Sequence, residues 1–210
     1  MTDKSAYPDV HRIIADSDLD GMCAAVVLKK AYPEAEVHFA HAALIRSGII
    51  DDLIDERTVT VDLPFHPKSG WYLDHHLTNK PSDSEHAEFT SKGGIVHWDH
   101  APSAARLAFD MFREEFEFPH LEAIMPLVDA LDSGGISLDT FLEDGPLLQL
   151  SRTLNYNDAE YMHHLLSLFQ ACTSMDDIYA DAIIQQRMAD AKTSRAVSYT
   201  HLRAHETHDD

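Results

Sequence analysis

The sequence predicts an α/β fold with a parallel sheet, and three observations predict it. Strand-like and helix-like segments alternate over the first half of the chain, as they do where crossover helices join parallel strands. The strand-like segments are short, apolar and rich in β-branched or aromatic residues, which is typical of buried strands. Three of them end on acidic residues, and the carboxyl ends of strands are where sites form in open α/β sheets.

The individual elements follow from local patterns. Residues 22–31 are rich in Ala and Val and end before Pro33, so we predict the first crossover helix there, and a second at 45–55. The polar segment 78–94, with Pro81 and a glycine pair, is predicted to be a loop beside the site. The strand candidates are 11–15, 35–40, 58–62, 70–74 and 95–98.

The second half of the chain is predicted to be mainly helical. Pro102 suits the first turn of a helix over 103–116. The further helix candidates are 121–131, 146–154, 159–171 and 175–191. This pattern predicts an α/β core over 1–135 and a helical extension over 136–196.

The last residues, 197–210, resemble a translated sequencing adapter. We therefore expect this tail to be non-native and the native chain to be truncated near Ala196. Its histidines, which would otherwise indicate a metal-binding tail, are left out of the functional interpretation.

Bulk composition excludes several function classes. The net charge of −20 disfavours long nucleic acids, whose binding depends on Lys and Arg at phosphates. No apolar run approaches the roughly 20 residues of a membrane span, and the polar N-terminus lacks a secretory signal. Cys23 and Cys172 lie far apart without metal-type spacing, which is typical of buried thiols in a reducing compartment. We expect a cytoplasmic protein.

The most informative motif is the run of alternate aspartates Asp16, Asp18 and Asp20 after the first strand candidate. Alternate residues of an extended segment point to one side, so these carboxylates can line one cavity. Carboxylates this close repel one another, and their pKa values would rise unless a positive charge lay among them. Arg12 and Lys29 do not lie inside the motif, so a divalent cation is the expected partner.

Two further strand candidates end in the same way. Asp62 follows one, and Asp74, His75 and His76 end the other. Oxygen ligands with an imidazole suit manganese or magnesium, and the nitrogen favours manganese. Asp62 is well placed to bridge two ions, His75 to bind one, and His76 to contact the substrate.

Each motif alone also has an ordinary structural explanation. Asp18 or Asp20 could cap the following helix. Asp62, two residues before Pro64, could end its strand in a turn. The ordered set of three acidic strand ends favours the metal site.

The same residues resemble the DHH phosphoesterases over about residues 10–135. Residues 16–21 are similar to the first motif of that family, Asp62 to the second, and Asp74-His75-His76 to the third. Asp129 and Asp132 are similar to the region of the fourth. The resemblance implies a five-stranded parallel sheet and a two-metal site, usually manganese, that hydrolyses phosphoester or phosphoanhydride bonds.

The resemblance also implies roles for these positions. Asp74 would orient a histidine, and Arg106 and Lys92 remain open as partners of the phosphoryl oxygens. Asp132 is favoured over Asp129 as the fourth-motif ligand, because a small Ser-Gly pair follows it. The implied set is Asp16 and Asp18 for one metal, Asp20, His75 and Asp132 for the other, Asp62 as the bridge, and His76 on the phosphate. Asp20, Asp62, His75 and His76 form the expected catalytic group.

The expected function is therefore a manganese-dependent phosphohydrolase, with magnesium as the other metal candidate. The substrate candidates are a short oligonucleotide, a dinucleotide, a nucleoside bisphosphate and polyphosphate. Members of the family place the substrate against a smaller C-terminal domain, which we expect to be missing or truncated here. The alternatives are a non-catalytic metal- or nucleotide-binding module and an inactive fragment, and a homodimer is left open.

Overall fold

A parallel five-stranded sheet forms the centre of the molecule, in the order β2-β1-β3-β4-β5. The computed structural model describes the backbone of residues 8–206 and the side chains of residues 8–194. All neighbouring strands run parallel, so the predicted fold class is confirmed. The strands are β1 (Arg12–Asp16), β2 (Glu36–Ala40), β3 (Thr58–Val61), β4 (Trp71–Asp74) and β5 (Ile95–Trp98).

Helices cover both faces of this sheet. The structure describes α1 (Leu19–Ala31), α2 (Ala42–Ser47), α3 (Asp83–Ser91), α4 (Ala104–Phe112), α5 (Pro119–Asp132), α6 (Leu138–Glu143), α7 (Pro146–Ser151), α8 (Ala159–Ala171), α9 (Met175–Tyr179) and α10 (Ala182–Glu206). The larger core joins α1, α4, α5 and α8 to one face. A smaller core around Ile14, Ile45 and Leu63 lies on the other. Because both faces are covered, β3 and β4 are buried throughout.

Helices α7, α8, α9 and α10 share the larger core. Leu165 and Phe169 of α8 and Ile184 of α10 belong to the same apolar cluster as Ile13 of β1. The mainly helical second half is thus confirmed, and these helices pack on the α1 side of the sheet.

Two predicted elements are wrong. The predicted helix at 45–55 ends at Ser47, because Gly48 takes the left-handed conformation with a φ of 73° that caps a helix. A separate 3₁₀ turn, Asp51–Leu53, follows it. The predicted loop at 78–94 contains α3, which begins with a capping box between Ser82 and Glu85.

Smaller differences concern the C-terminal helices. The predicted helix at 175–191 is divided, because the Asp181 carboxylate accepts hydrogen bonds from the amides of Ile183 and Ile184 and starts α10 there. The short helix α6 was not predicted, although Ser137 caps it. The side chains of the expected non-native tail, 197–210, lie outside the described residues. None of the described helices combines the length and hydropathy that crossing a membrane requires.

Candidate metal centre

The predicted site residues gather at the carboxyl edge of the sheet. Strands β1, β3 and β4 are neighbours, so their ends meet. Asp16 ends β1, Asp62 follows β3, and Asp74 ends β4 just before the two histidines. The start of α1 supplies Asp18 and Asp20, and the end of α5 supplies Asp132.

Three buried ligand atoms converge there without a hydrogen-bond partner among the described residues. They are Asp62 Oδ1, His75 Nε2 and Asp132 Oδ2. His75 Nε2 lies 2.9 Å from Asp132 Oδ2, 3.6 Å from Asp20 Oδ2 and 3.8 Å from Asp62 Oδ1. A buried polar atom left unpaired costs about 1–3 kcal/mol. One divalent cation would satisfy these atoms together, so the residues fit a metal ion.

His75 is oriented as a ligand. Its Nδ1 lies 3.0 Å from the carbonyl oxygen of Ala101, which can only accept, so Nδ1 carries a proton and Nε2 is the nitrogen that faces the carboxylates. Metal-binding histidines commonly donate their other N–H in this way. Burial alone would lower the pKa of His75, but Asp132 and Asp20 raise it to about 9.

Asp20 has a second role that the sequence analysis missed. Its two carboxylate oxygens accept hydrogen bonds from the amides of Ala104 (2.7 Å) and Ala105 (2.6 Å), at the start of α4. Burial, with the charges of Asp18 and Asp132, still raises the pKa of Asp20 to about 8. Each oxygen keeps a lone pair, so Asp20 can hold α4 and bind a metal.

The other two aspartates of the first motif lie at the border of the cluster. Asp18 caps α1, and its Oδ1 accepts the Gly21 amide at 2.9 Å, so the capping explanation applies to this residue. Asp16 Oδ1 accepts the Ser17 amide, and burial and the charge of Asp18 raise the pKa of Asp16 to about 6.

Among the described residues, two groups bring their ligand atoms within 4.8 Å of one another. They are Asp62, Asp74, His75 and His76, and Asp20, His75 and Asp132.

Asp62 reaches the cluster through an unusual backbone conformation. Its φ of 58° is in the left-handed region, which Asp and Asn occupy more readily than most residues. The Asp62 amide still donates to the Leu73 carbonyl, so β3 and β4 remain paired while the carboxylate turns toward both histidines. Burial and the nearby carboxylates raise the pKa of Asp62 well above its usual range.

Asp74 fixes His76. The fully buried Asp74 carboxylate accepts hydrogen bonds from the His76 amide (3.1 Å), His76 Nδ1 (3.0 Å) and the Tyr72 hydroxyl (2.8 Å). Burial would raise the pKa of Asp74, but these contacts lower it, and Asp74 in turn raises the pKa of His76. The His76 side chain is 41% exposed, so its ring borders solvent while Nδ1 is held.

The structure separates the two fourth-motif candidates. Asp129 accepts from Ser103 Oγ (2.7 Å) and from Arg106 Nε (3.1 Å) and Nη2 (2.6 Å), whereas Asp132 faces His75. Arg106 thus forms an ion pair with Asp129 through two of its nitrogens. Lys92 pairs with Glu88 within α3 and its C-terminal cap.

Asn79 is a further residue of the candidate site that no sequence motif indicates. Its amide donates to the His76 carbonyl at 3.2 Å, and its side chain, after the contacts of His76, is among the groups that lower the pKa of Asp74. Its place three residues after His76 is the only sequence signal that could have indicated this role.

The chain resembles solved structures in its fold. No protein-family model matches the chain, and a search of curated proteins finds no match. The pGpG-specific phosphodiesterase PggH from Vibrio cholerae aligns with a TM-score of 0.66 and 24% identity, over 85% of this chain and 58% of that one. An uncharacterised protein from Helicobacter pylori G27 aligns with a TM-score of 0.45 and 13% identity, over 89% of this chain and 62% of that one. The chain thus spans less than two thirds of either protein, and the likeness to PggH shows a shared fold.

Proposed function

We propose that the protein is a metal-dependent phosphohydrolase of the DHH type. The observation that carries this proposal is the convergence of Asp62 Oδ1, His75 Nε2 and Asp132 Oδ2 at the carboxyl edge of the sheet, where they are buried and have no hydrogen-bond partner among the described residues. The order of the motifs along the chain and the fold shared with PggH support it.

Two divalent cations would be held by this edge. Manganese is the favoured ion because His75 supplies nitrogen, and magnesium is the other candidate. Bound there, the cations would lower the pKa of a shared water and neutralise charge on the phosphoryl group. The proposed ligands are Asp16 and Asp18 for one ion, Asp20, His75 and Asp132 for the other, and Asp62 between them.

The chain's own residues would orient the phosphoryl group. Asp74 holds His76 Nδ1, which leaves Nε2 to donate to a non-bridging phosphate oxygen. The raised pKa of His76 favours the protonated ring, and a charge-assisted hydrogen bond to phosphate is roughly twice as strong as a neutral one.

The substrate class we propose is a short nucleotide with a phosphodiester bond. PggH acts on the dinucleotide pGpG. The net charge of −20 disfavours a long polyanion, which needs many cationic contacts, but tolerates a short one held by metals. Nucleoside bisphosphates and polyphosphate are the competing substrates in the assay.

The proposal is tested by combining metal titration with hydrolysis. We expect calorimetry of the metal-free protein to give two manganese sites and the manganese-loaded protein to hydrolyse a 5′-phosphorylated dinucleotide. His76→Ala should keep its metal content and lose about 10²-fold in kcat, since the lost contact stabilises the transition state. His86→Ala, an exposed histidine on α3, is the matched control and should retain activity.

Two outcomes would overturn parts of this proposal. Two bound metals with no turnover of any phosphoester or phosphoanhydride would indicate a metal-binding module instead. Loss of metal in His76→Ala would mean that His76 is a ligand rather than a substrate contact.

A further inference from the structure

Arg46 differs from the other arginines whose side chains are described. It is exposed, and it has no carboxylate partner among the described residues. Each of the others forms an ion pair with an acid in a chain of net charge −20; these are Arg12, Arg57, Arg106, Arg113, Arg152 and Arg187. No described carboxylate therefore competes with an anionic ligand for the Arg46 guanidinium.

The position of Arg46 connects it to the candidate site. Its Nη2 donates to Asn79 Oδ1 at 3.1 Å, and Asn79 is the residue whose amide donates to the His76 carbonyl. Arg46 follows β2 and Asn79 follows β4. Of the two strands between them, β1 ends at Asp16 and β3 is followed by Asp62. The contact thus borders the metal cluster on the α2 side.

A basic residue in the last turn of a helix also has a general structural explanation, because it complements the helix dipole. That explanation accounts for the charge of Arg46 but not for its attachment to Asn79, which is distant in sequence and adjacent to the site.

An aromatic pair lies at the other end of α2. The rings of His41 and Tyr156 are 5.8 Å apart and tilted by 34°. His41 directly follows Ala40, which is opposite Asp16 in the sheet, so the pair lies next to the first motif. His41 Nδ1 accepts the Ala43 amide and caps α2, which fixes the ring. Tyr156 is 38% exposed and offers a face to a planar ligand.

We propose that α2 and Tyr156 form a second nucleotide subsite, in which Arg46 binds the phosphate beside the one at the metal cluster and the His41–Tyr156 pair stacks on a base. The inference rests on the proposed function and names its substrate class as a dinucleotide with a terminal phosphate. Guanidinium groups bind phosphate through paired hydrogen bonds, and aromatic side chains stack on bases of any sequence. Inorganic phosphate at the metal cluster would use neither contact.

The test compares two probes by calorimetry, with Ca²⁺ in place of Mn²⁺ and with product formation checked in parallel. The probes are 5′-phosphorylated diadenylate and inorganic phosphate. Arg46→Ala should weaken binding of the dinucleotide about tenfold and change binding of inorganic phosphate less than about twofold. The control is Arg57→Ala. Arg57 is exposed, lies just before β3 and pairs with Asp9, so this variant should bind both probes as the unaltered protein does.

The aromatic half of the subsite is tested separately. Tyr156→Leu and His41→Asn should each weaken dinucleotide binding by at least about fivefold, because each removes a ring that stacks on the base. Asn keeps a side chain that can cap α2, so the second variant removes the ring while preserving the helix.

Three results would overturn the inference. Dinucleotide binding by Arg46→Ala equal to that of the unaltered protein would show that Arg46 binds no phosphate. Equal weakening of both probes would place Arg46 at the cluster phosphate instead. If the unaltered protein bound neither probe, the proposed function itself would fail, and this result is distinguishable because it precedes any substitution.

Discussion

Asp62 holds a left-handed backbone conformation at a buried position, and one of its carboxylate oxygens has no hydrogen bond from the described residues. A residue held in this region costs of order 1–3 kcal/mol, and the unpaired acid adds to that cost. Both costs are explained if the carboxylate binds cations, because the turn at Asp62 directs its carboxylate toward His75 and His76.

Asp62→Asn is expected to change metal affinity and stability in opposite directions. Asn tolerates the left-handed conformation, so the substitution removes the charge and preserves the turn. Both manganese sites should weaken together, by more than the roughly 10-fold cost typical of changing an outer-shell residue. The metal-free variant should melt at a higher temperature, because burial disfavours the charged form of Asp62.

The control for this substitution is Asp144→Asn. Asp144 is the other described non-glycine residue with a positive φ, 51°, and it pairs with Arg152 rather than with the cluster. Titration of this variant should match the unaltered protein. Two unaltered sites in Asp62→Asn would refute the bridging role.

Side-chain roles could be predicted from the sequence only where a residue had one candidate partner. Asp129 and Asp132 are three residues apart and so lie on the same side of α5, and only the small residues after Asp132 favoured it in the sequence. The contacts of Asp129 with Ser103 and Arg106, which lie at the start of α4, involve residues more than twenty positions away and could not be predicted. The support of α4 by Asp20 involves residues more than eighty positions away, and no local pattern indicates it.

At the scale of elements, the junction of β1 and α1 depends on the absence of a side chain at Gly21. A Cβ atom there would lie 2.2 Å from the carbonyl oxygen of Asp16, which is backbone and cannot rotate away. Gly21 lets the helix start directly against the strand end, and this brings Asp18 and Asp20 to the cluster.

Gly21→Ala should therefore destabilise the protein by about 3 kcal/mol, at the upper end of the usual cost of overpacking, and should also weaken metal binding. The measurement is thermal or denaturant unfolding together with manganese titration. Gly145→Ala is the matched control, because nothing lies within 4 Å of a Cβ at that helix N-cap. A Gly21→Ala protein with unaltered stability and affinity would contradict this account of the junction.

Elements were predictable where hydrophobic pattern and chain breaks agreed. The segment Ile95–Trp98 and the helix Ala159–Ala171 have the predicted bounds, because apolar spacing and flanking residues coincide there. The helix at 45–55 was wrong because Gly48 has a left-handed φ that the apolar pattern does not show. The loop at 78–94 was wrong because its polar composition outweighed the Ser82–Glu85 capping signal.

At the scale of the whole molecule, the carboxylates of the site make stability depend on pH. The pKa of Asp16 rises to about 6, that of Asp20 to about 8 and that of His75 to about 9. The metal-free folded protein therefore retains protons that the unfolded chain has lost. A group with a raised folded pKa gives stability that is present below its unfolded pKa and is lost as pH rises through the folded value.

We expect the metal-free protein to lose at least about 2 kcal/mol of unfolding free energy between pH 5 and pH 9, since each pKa unit corresponds to about 1.4 kcal/mol. Saturating Mn²⁺ should abolish most of this loss, because the cations replace the protons and bind only the folded site. Denaturant unfolding at several pH values, with and without metal, measures both effects. Metal-free stability that rises over this interval would contradict the clustering of these acids.

The hydrogen bonds from the Ala104 and Ala105 amides to Asp20 affect which residues of the site could be lost in evolution. If the proposed activity holds, a descendant of this chain that no longer needed it could lose His76 or Asp132 with little harm to its architecture. It could not lose Asp20 as easily, because the first turn of α4 would lose the acceptor of two amides inside the core. The presence of Asp20 alone would therefore not show that a related protein is active, because its fold needs that acid. The presence of His76 and Asp132 would be the better indication.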